Sequence, residues 1–434
     1  MVKPNKGDKR VLMIAYHFPP LQGSSGLQRT LKFTEYLPQC GWQPLVLSAS
    51  ARAYQHTSAE QLADISPQMT VRRSFALDTA RHLGVHGRYP GWLALPDRWI
   101  SWWLSAVPAG LRLIRQQRPD VIWSTYPIAT AHLIGLTLHR LTGIPWVADQ
   151  RDPMSDADYP PDPRTRRLHR WIEQQVGRHG AGLVCTTPGA LRDYRERFPQ
   201  IGEDRLRLIE NGYDEANFAE AAAEPAPPRR DRRRFRLLHS GIIYPSERDP
   251  TALFGALARL RQDGALRADE FQLVLRASGH DAHLRALIAR HAIDDLVELA
   301  PPLPYRAALA EMLAADGLLL LQAANCNHQI PAKLYEYLRA ARPLLALTDL
   351  GGDSAAKLRR CGIDPKKTGK QPISRRTKIV RIPGQALEQP LPAATGHGQY
   401  FAVDFGGKTQ CRPCAKSLLL GRNRQLPQNV VRRL

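Results

Sequence analysis

Long apolar runs are missing from this sequence of 434 residues, in which 43% of positions are hydrophobic. No stretch reaches the roughly 18 consecutive apolar residues that a membrane-spanning helix requires. The first ten residues, MVKPNKGDKR, are polar and basic, and no apolar segment typical of a signal peptide follows them. The sequence therefore argues against secretion and against membrane spanning, and we expect a cytoplasmic protein.

Cysteine is scarce as well, with six residues spread over the chain. This distribution lacks the dense, regular spacing of a secreted disulfide framework and fits a reducing compartment. Cys411 and Cys414 have the spacing of a zinc or redox pair, but no second pair follows, so we expect no metal. At roughly 150 residues per domain, the length predicts two or three domains, each large enough to form a core without cross-links.

Lysine is rare in most of the chain: residues 1–360 contain 6 Lys and 41 Arg, whereas residues 361–434 contain 6 Lys and 8 Arg. This tail has only 3 acidic residues, and its 7 Pro and 8 Gly interrupt helical periodicity. Three interpretations are open: a basic arm, a disordered extension, or an out-of-frame translation of the end of a domain. We favour the third, so the net charge of +21 gives no reason to expect nucleic-acid binding.

Short apolar runs alternate with amphipathic stretches in the first half of the chain. The run RVLMIA precedes a loop, an amphipathic stretch from Leu27 to Leu37 and a second apolar run, PLVLS. The pattern recurs with DVIWS and PWVAD around a stretch from Pro127 to Gly143, and again around PGALRDYRERF. Repeated βαβ units predict a parallel sheet covered by helices.

A second α/β set follows residues 219–236, which we interpret as an exposed linker because their Ala, Pro and Arg show no apolar periodicity. The predicted organisation is a first domain over residues 1–218, a second over residues 237–360, and the atypical tail 361–434. Its predicted strands are RLLHSG, FQLVLRAS, VELA, GLLLLQ and PLLALT, and its predicted helices lie near 251–261, 283–290, 305–314 and 331–341. Ligands bind such open sheets at the carboxyl ends of their strands, so we expect the site in a cleft between the two domains.

Two loops that follow predicted strands have residues suited to a phosphate. The first contains His17 and Gly23 before a helix, and its glycines and hydroxyls allow backbone N–H groups to approach an anion. The second begins at Gly241, and Arg248 lies beside a predicted helix start with Asp249 as its N-cap. Plain turns and a surface arginine are the alternatives.

Two further segments combine charged residues with the end of a strand or the start of a helix. Lys333 and Glu336 lie together in the first turns of a predicted helix, and the alternative to a site is an ion pair worth a few tenths of a kcal/mol. Asp149, Arg151 and Asp152 alternate in charge where an apolar strand stops. The alternative there is a helix cap with a salt bridge.

Tryptophans cluster between basic residues later in the first domain. They suggest contact with a membrane that carries a lipid-linked acceptor, and packing in a core is the alternative. The cluster consists of Trp92, Trp99, Trp102 and Trp103.

Taken in order, these segments resemble the family-four glycosyltransferases of the GT-B fold, notably those that build bacterial surface polysaccharides, over about residues 9–360. The resemblance implies two Rossmann-like domains that face each other across a cleft, with the second possibly incomplete. It also implies a nucleotide sugar held mainly by the C-terminal domain, an acceptor taken from the N-terminal domain, retention of configuration, and no metal or separate cofactor. It rests on the Glu173 helix and on YHFPP, PDVIWSTYP, GIPWVADQRDP, GLVCTTP, LIENGYD, HSGIIYPSERDP, AADGLLLL and IPAKLYEYLRAARPLLAL.

The resemblance also implies roles for residues of the donor site. Arg248 matches the basic residue that contacts the donor diphosphate, and Glu336 matches the second glutamate of the E-x7-E motif, which is associated with the ribose. His328 stands where the first glutamate is expected, and Ile242 replaces a usual basic residue. Lys333 is the expected substitute for that charge. We place Gly23 and Gly241 in the donor site as well.

On the acceptor side we expect His17, Asp149 and Arg151, with Asp152 as an acceptor-orienting residue or auxiliary base. The function implied is that of a retaining glycosyltransferase acting on a polysaccharide or lipid-linked saccharide, with no nucleic acid bound. Its expected location is the cytoplasm, and the alternative is peripheral association with the inner face of the cytoplasmic membrane. Two alternatives stay open: a GT-B sugar-nucleotide epimerase, and a non-catalytic polyanion-binding protein that uses the basic tail.

Overall fold

The computed structural model describes residues 9–22, 25–86, 88–224 and 234–363, and the backbone of residues 377–381. Gly23, the pair Cys411 and Cys414, and half of the predicted linker (residues 225–233) lie outside these residues. The interpretation of residues 361–434 as an atypical tail also falls almost wholly outside them and stays a prediction. The described chain divides after Glu210 into two units.

The first unit is a doubly wound α/β sheet of seven parallel strands in the order β3-β2-β1-β4-β5-β6-β7. Its strands are β1 (Lys9–Ile14), β2 (Trp42–Ala49), β3 (Thr70–Ser74), β4 (Val121–Thr125), β5 (Trp146–Arg151), β6 (Gly182–Cys185) and β7 (Leu206–Leu208). Its helices are α1 (Ser25–Tyr36), α2 (Thr79–His82), α3 (Ser101–Gln117), α4 (Ala129–Thr142), α5 (Pro163–His179) and α6 (Pro188–Arg197). The strand order reverses between β1 and β4, so the loops after these two strands open a crevice at their carboxyl ends.

Helices cover both faces of this sheet, which is why its central strands are continuously apolar. Leu12, Met13 and Ile14 of β1 alternate between the two faces, yet each is at most 1% exposed. Helix α4 ends at Gly143, which has a φ of +73° and accepts the left-handed conformation that stops the helix.

The second unit contains a sheet of six strands in the order β10-β9-β8-β11-β12-β13, parallel except for β13. Its strands are β8 (Phe235–Ser240), β9 (Phe271–Arg276), β10 (Val297–Ala300), β11 (Gly317–Leu321), β12 (Leu344–Asp349) and β13 (Thr377–Arg381). Its helices are α7 (Glu215–Ala223), α8 (Thr251–Gln262), α9 (Asp281–His291), α10 (Tyr305–Ala314), α11 (Ala332–Ala340) and α12 (Asp353–Arg360). Here the order reverses between β8 and β11.

Strand β11 contributes side chains to both hydrophobic cores of this unit. Its sequence GLLLL is buried throughout because alternate leucines enter separate cores on the two faces of the sheet. Leu318 and Leu320 lie in the core with helices α10 and α11, whereas Leu319 and Leu321 lie in the core with α8 and α9. The sequence interpretation as a buried parallel strand is confirmed.

Helix α7 places the boundary between the units earlier than residue 218. Phe218 is 1% exposed in the core of the second unit, and Arg339 of α11 donates from Nε to Glu215 Oε2 at 2.6 Å. Residues 211–218 therefore pack with the second unit, and residues 219–223 belong to the same helix. The sequence does not predict this helix because it is rich in Ala and has a single large apolar side chain, Phe218, so it shows no apolar periodicity.

Candidate active site

The loop that follows β8 lies at the point where the strand order of the second unit reverses. Gly241 has a φ of +104°, a conformation that favours glycine. A Cβ atom at this position would lie 3.0 Å from Nζ of Lys333, on the first turn of α11. Glycine therefore allows the lysine amine to approach the backbone of the loop closely.

Lys333 contacts His239, the residue two positions before this glycine. Its Nζ lies 3.1 Å from Nε2 of His239, and Nδ1 of the same ring lies 2.9 Å from the carbonyl oxygen of Leu319 on β11. His239 is fully buried. Burial, followed by the charges of Lys333 and Arg248, lowers the pKa of His239 well below its usual value, so the ring is neutral at neutral pH.

Arg248 brings a second cation to the same loop. Its Nη1 donates to the carbonyl oxygen of Ile242 at 2.5 Å, and its guanidinium lies 5.2 Å from the ring centre of Tyr244. Burial and the charge of Arg248 lower the pKa of Lys333 well below its usual value, and Glu336 opposes this shift. The two cations expected from the sequence are thus close enough to repel each other.

Glu336 lies one turn after Lys333 on α11. Its Oε1 accepts a hydrogen bond of 2.8 Å from the hydroxyl of Tyr305. Burial raises the pKa of Glu336, while the Tyr305 hydrogen bond and Lys333 lower it. The structure therefore places Lys333 close to Gly241 and within electrostatic reach of Arg248 and Glu336, and the binding roles of these residues stay predictions. His328 is exposed in the segment before the helix.

In the first unit, Asp149 is an interior residue. Both of its carboxylate oxygens accept from Arg29 of α1 at 3.0 Å, and Thr125 donates to Oδ2 at 2.9 Å. Arg29 and Asp149 have side chains 3% and 0% exposed. This corrects the expectation of an acceptor contact: Asp149 fastens α1 to the sheet from within.

Arg151 ends β5 in a left-handed conformation, with a φ of +58°. The pairing between β5 and β6 shifts register between Asp149 and this residue. The Nη1 of Arg151 donates to the carbonyl oxygen of Tyr126 at 3.3 Å, and the hydroxyl of Thr186 donates to the carbonyl oxygen of Arg151 at 3.0 Å. The backbone therefore turns sharply where the chain leaves the sheet, and Asp152 is the first residue beyond it.

Arg151 lies within electrostatic reach of both His17 and Asp152. Burial lowers the pKa of His17 to about 3, and the charge of Arg151 contributes to this shift. Burial also lowers the pKa of Arg151, whereas Asp152 and then Asp149 raise it. Of the residues predicted on the acceptor side, His17, Arg151 and Asp152 thus lie at the carboxyl ends of β1 and β5, whereas Asp149 is interior.

Comparisons with known proteins bear on this arrangement. A sucrose-phosphate synthase from Thermosynechococcus elongatus aligns over 78% of this chain and 81% of its own, with 15% identity and a TM-score of 0.53. The Anabaena protein HepE, solved in complex with UDP-glucose, aligns over 80% and 82%, with 13% identity and a TM-score of 0.52. These similarities show a shared GT-B fold. Curated protein sequences gave no match.

Residues 26–212 match the family described as Glycosyl transferase 4-like domain. Residues 26–212 therefore form a family-four glycosyltransferase domain, within a chain that has the GT-B fold. This confirms the fold class and the family that the sequence segments indicate. The matched stretch of the glycosyltransferase contains Asp149, Arg151 and Asp152 and ends before β8, and the roles of the residues on both sides stay predictions.

A buried carboxylate that sequence reasoning did not place in the site supports the loop after Asp152. Glu173 of α5 is fully buried, and its Oε1 accepts from the backbone N–H groups of Met154 at 2.9 Å and Ser155 at 3.3 Å. Arg197 of α6 donates to both oxygens at 3.0 and 3.1 Å. One buried carboxylate of the glycosyltransferase thus fixes the backbone of residues 154–155 by hydrogen bonds. The sequence signals were the place of this helix in the family resemblance and a single acid in an otherwise basic helix.

The tryptophan cluster of the glycosyltransferase is mostly interior, which favours the alternative of packing in a core for three of its four members. Trp102 is fully buried and donates to the hydroxyl of Ser74 at 3.0 Å. Trp103 donates to the hydroxyl of Thr137 at 3.0 Å, and the ring of Trp99 packs 4.9 Å from that of Tyr16. Trp92 alone of the four is largely exposed.

Two features are absent from the described residues of the glycosyltransferase. No helix there is both long and apolar enough to cross a membrane. No group of three or more His, Cys, Asp or Glu side chains is arranged to hold a metal ion.

Proposed function

We propose that this glycosyltransferase moves a sugar from a nucleoside diphosphate sugar to a polysaccharide or lipid-linked saccharide, with retention of anomeric configuration. The second unit binds the donor through Gly241, Arg248, Lys333 and Glu336. The first unit handles the acceptor, with Asp152 as the residue closest to the chemistry.

The observation that carries this proposal is a pair of cations beside Gly241: Arg248 lies in the loop after β8, and Lys333 lies on α11. Neither Arg248 nor Lys333 forms an ion pair with a carboxylate among the described residues, and their charges act against each other. Two partly buried like charges destabilise the protein unless an anion comes between them. A diphosphate supplies two or more negative charges and fits a glycine-lined loop at the carboxyl end of a strand.

The same cations suit the chemistry of transfer. When the bond between the anomeric carbon and the phosphate oxygen breaks, negative charge grows on the departing diphosphate. Donors that are already in place stabilise this charge without reorganisation, and each is worth about 2.7–4 kcal/mol of barrier in well-studied cases. Arg248 and Lys333 fill this role here, while the carboxylate of Glu336 accepts from the ribose.

Retention without an enzymatic nucleophile fits attack on the same face as the leaving group. The acceptor hydroxyl attacks the anomeric carbon as the phosphate bond breaks, and the departing phosphate oxygen takes the hydroxyl proton. Asp152 then orients the acceptor hydroxyl and assists as an auxiliary base. The turn at Arg151 and the support of Glu173 fix the backbone on either side of it.

The donor test begins with UDP and UDP-glucose, because the fold is shared with a protein solved with UDP-glucose. Arg248→Ala and Lys333→Met should each weaken UDP binding by about tenfold, the effect of about 1.4 kcal/mol from a lost charged hydrogen bond. Arg261→Ala is the matched control, since Arg261 of α8 forms an exposed pair with Asp295. Unchanged UDP affinity in both site variants would reject the donor site.

Product analysis separates transfer from epimerisation. With UDP-glucose alone, an epimerase releases an isomer of the nucleotide sugar, whereas a transferase needs a saccharide acceptor. NMR of the anomeric proton in the product then tests retention. An inverted linkage would contradict the same-face mechanism.

We also propose that an anionic membrane surface binds the outer face of α3 and strand β3. Leu104 is 70% exposed and Phe75 is 51% exposed. A shallow groove joins this area, and helix α3 has arginines but no acidic residue. The groove is lined by Arg72, Arg73, Phe75, Ser105, Pro108 and Arg112.

Vesicle flotation tests this surface. Vesicles of phosphatidylglycerol and phosphatidylcholine should carry the protein up the gradient, and vesicles of phosphatidylcholine alone should not. Arg112→Glu combined with Leu104→Ser should abolish flotation, whereas Arg290→Glu, an exposed residue of α9, should not change it. Equal flotation of the two variants would reject this surface.

A further inference from the structure

We infer that His239 is a positioning residue, which holds the Lys333 ammonium over Gly241 so that it meets the diphosphate of the donor. No role was expected for this histidine from the sequence. The inference rests on the proposed donor site. Its evidence, however, is the geometry of three residues in the ligand-free protein.

The hydrogen bonds of His239 fix which nitrogen carries the proton. The carbonyl oxygen of Leu319, 2.9 Å from Nδ1, only accepts, so Nδ1 must be the donor. In a neutral ring Nε2 is then an acceptor, and the ammonium of Lys333 at 3.1 Å donates to it. The backbone carbonyl of Leu319 therefore fixes the orientation of the His239 ring, and the ring in turn holds the ammonium of Lys333.

The hydrogen bonds from Leu319 through His239 to Lys333, here called the relay, lie where ligands bind in open α/β sheets. His239 lies on β8 and Leu319 on β11, the two strands between which the strand order reverses. A lysine side chain has four flexible carbon atoms, and fixing it costs conformational entropy on binding. The fully buried ring of His239 places Lys333 before the ligand arrives, which lowers that cost.

A neutral partner is better suited to this purpose than a carboxylate. An aspartate or glutamate at position 239 would hold the lysine equally well but would cancel its charge and compete with the diphosphate. A neutral imidazole accepts one N–H and leaves the positive charge available. The remaining two N–H groups of the ammonium have no acceptor among the described residues, so they are available to phosphate oxygens.

The experiment uses a pair of variants that match in length. His239→Gln keeps an oxygen that accepts from Lys333, whereas His239→Met has a similar shape and no such acceptor. UDP affinity is measured by calorimetry in both, alone and combined with Lys333→Met. We expect His239→Met to weaken UDP binding about three- to tenfold, His239→Gln to stay within about twofold of wild type, and neither to change affinity in the Lys333→Met background.

Two results would overturn the inference. One is a loss of UDP affinity in His239→Met that persists in the Lys333→Met background, because the histidine would then act without the lysine. The other is equal loss in the Gln and Met variants, which would show a packing role only.

Nitrogen NMR of the histidine ring provides a second measurement that needs neither a ligand nor a histidine variant. In the full-length protein at pH 7, His239 should be the neutral tautomer with the proton on Nδ1, and Lys333→Met should shift the Nε2 signal. A protonated ring or a proton on Nε2 would reject the relay. If wild type binds neither UDP, GDP nor pyrophosphate, the proposed donor site fails, and the NMR result still decides whether His239 holds Lys333.

Discussion

Arg29 and Asp149 form a two-point ion pair inside the first unit, with Nε and Nη2 of the guanidinium each 3.0 Å from one carboxylate oxygen. The arginine also donates to the carbonyl oxygens of Ile209 and Glu210 at 3.1 and 3.3 Å. One side chain on α1 therefore joins the carboxyl end of β5 to the chain just beyond β7. The pair fixes the segment on which Arg151 and Asp152 stand.

The first prediction concerns this pair. Asp149→Asn leaves the buried guanidinium of Arg29 without its counter-charge, so we expect the free energy of unfolding to fall by about 3–5 kcal/mol. Urea unfolding followed by circular dichroism measures the loss. Glu203→Gln is the control, since its pair with Arg195 is exposed and should contribute less than about 1 kcal/mol. A loss below that of the control would mean that Asp149 is not the anchor of α1.

The sequence predicted most elements because their periodicity is local. Helix α10 has the bounds that its periodicity predicts, from Tyr305 to Ala314. Helix α3 was missed, since Pro108 lies inside it and its tryptophans suggested a surface. Trp102 is instead fully buried.

The candidate site was predictable only in part, because its contacts join residues distant in the chain. Arg29 and Asp149 are 120 residues apart, and His239 and Lys333 are 94 apart. A single sequence shows that Asp149 ends a strand, but not that an arginine of α1 occupies both of its oxygens. The donor loop was easier, since Gly241 and Arg248 belong to one local strand-loop-helix pattern.

The second prediction concerns Glu173, whose carboxylate holds the backbone of residues 154–155. Glu173→Gln keeps the shape but loses the charge that faces Arg197, so we expect a loss of about 1–3 kcal/mol in the free energy of unfolding. Faster hydrogen exchange of the Met154 and Ser155 amides should accompany it. Glu196→Gln, an exposed position on α6, is the control. Unchanged exchange at both amides would show that the loop does not depend on Glu173.

The third prediction concerns the pH dependence of stability. His132 is fully buried, its Nδ1 lies 2.7 Å from Oγ of Ser124, and burial lowers its pKa to about 4. Between this value and the unfolded pKa of about 6.5, only the unfolded chain takes up the proton. The contribution to stability is therefore complete above about pH 6.5 and is lost as the pH falls toward 4.

Urea unfolding between pH 4.5 and 7.5 measures this effect. The free energy of unfolding of His132→Asn should depend less steeply on pH than that of wild type, by up to about 1.4 kcal/mol per pH unit. Other groups that titrate in this range contribute to both proteins and cancel in the comparison. Equal slopes would show that His132 is protonated alike in the folded and unfolded states.

The last prediction assigns Asp152 to the acceptor. It follows the sharp turn at Arg151, and its charge acts on that guanidinium and on Tyr126. Asp152→Asn keeps the size and polarity of the side chain but removes its ability to take a proton or to hold the acceptor hydroxyl by charge. We expect transfer to fall by about 10²–10⁴-fold, the range for a lost general base, while the Kd for UDP changes less than about twofold. Calorimetry and an acceptor-dependent transfer assay measure the two effects. A parallel loss of UDP affinity and transfer would indicate a structural role for Asp152 beside Arg151. Full transfer activity in the variant would show that Asp152 takes no part in the reaction.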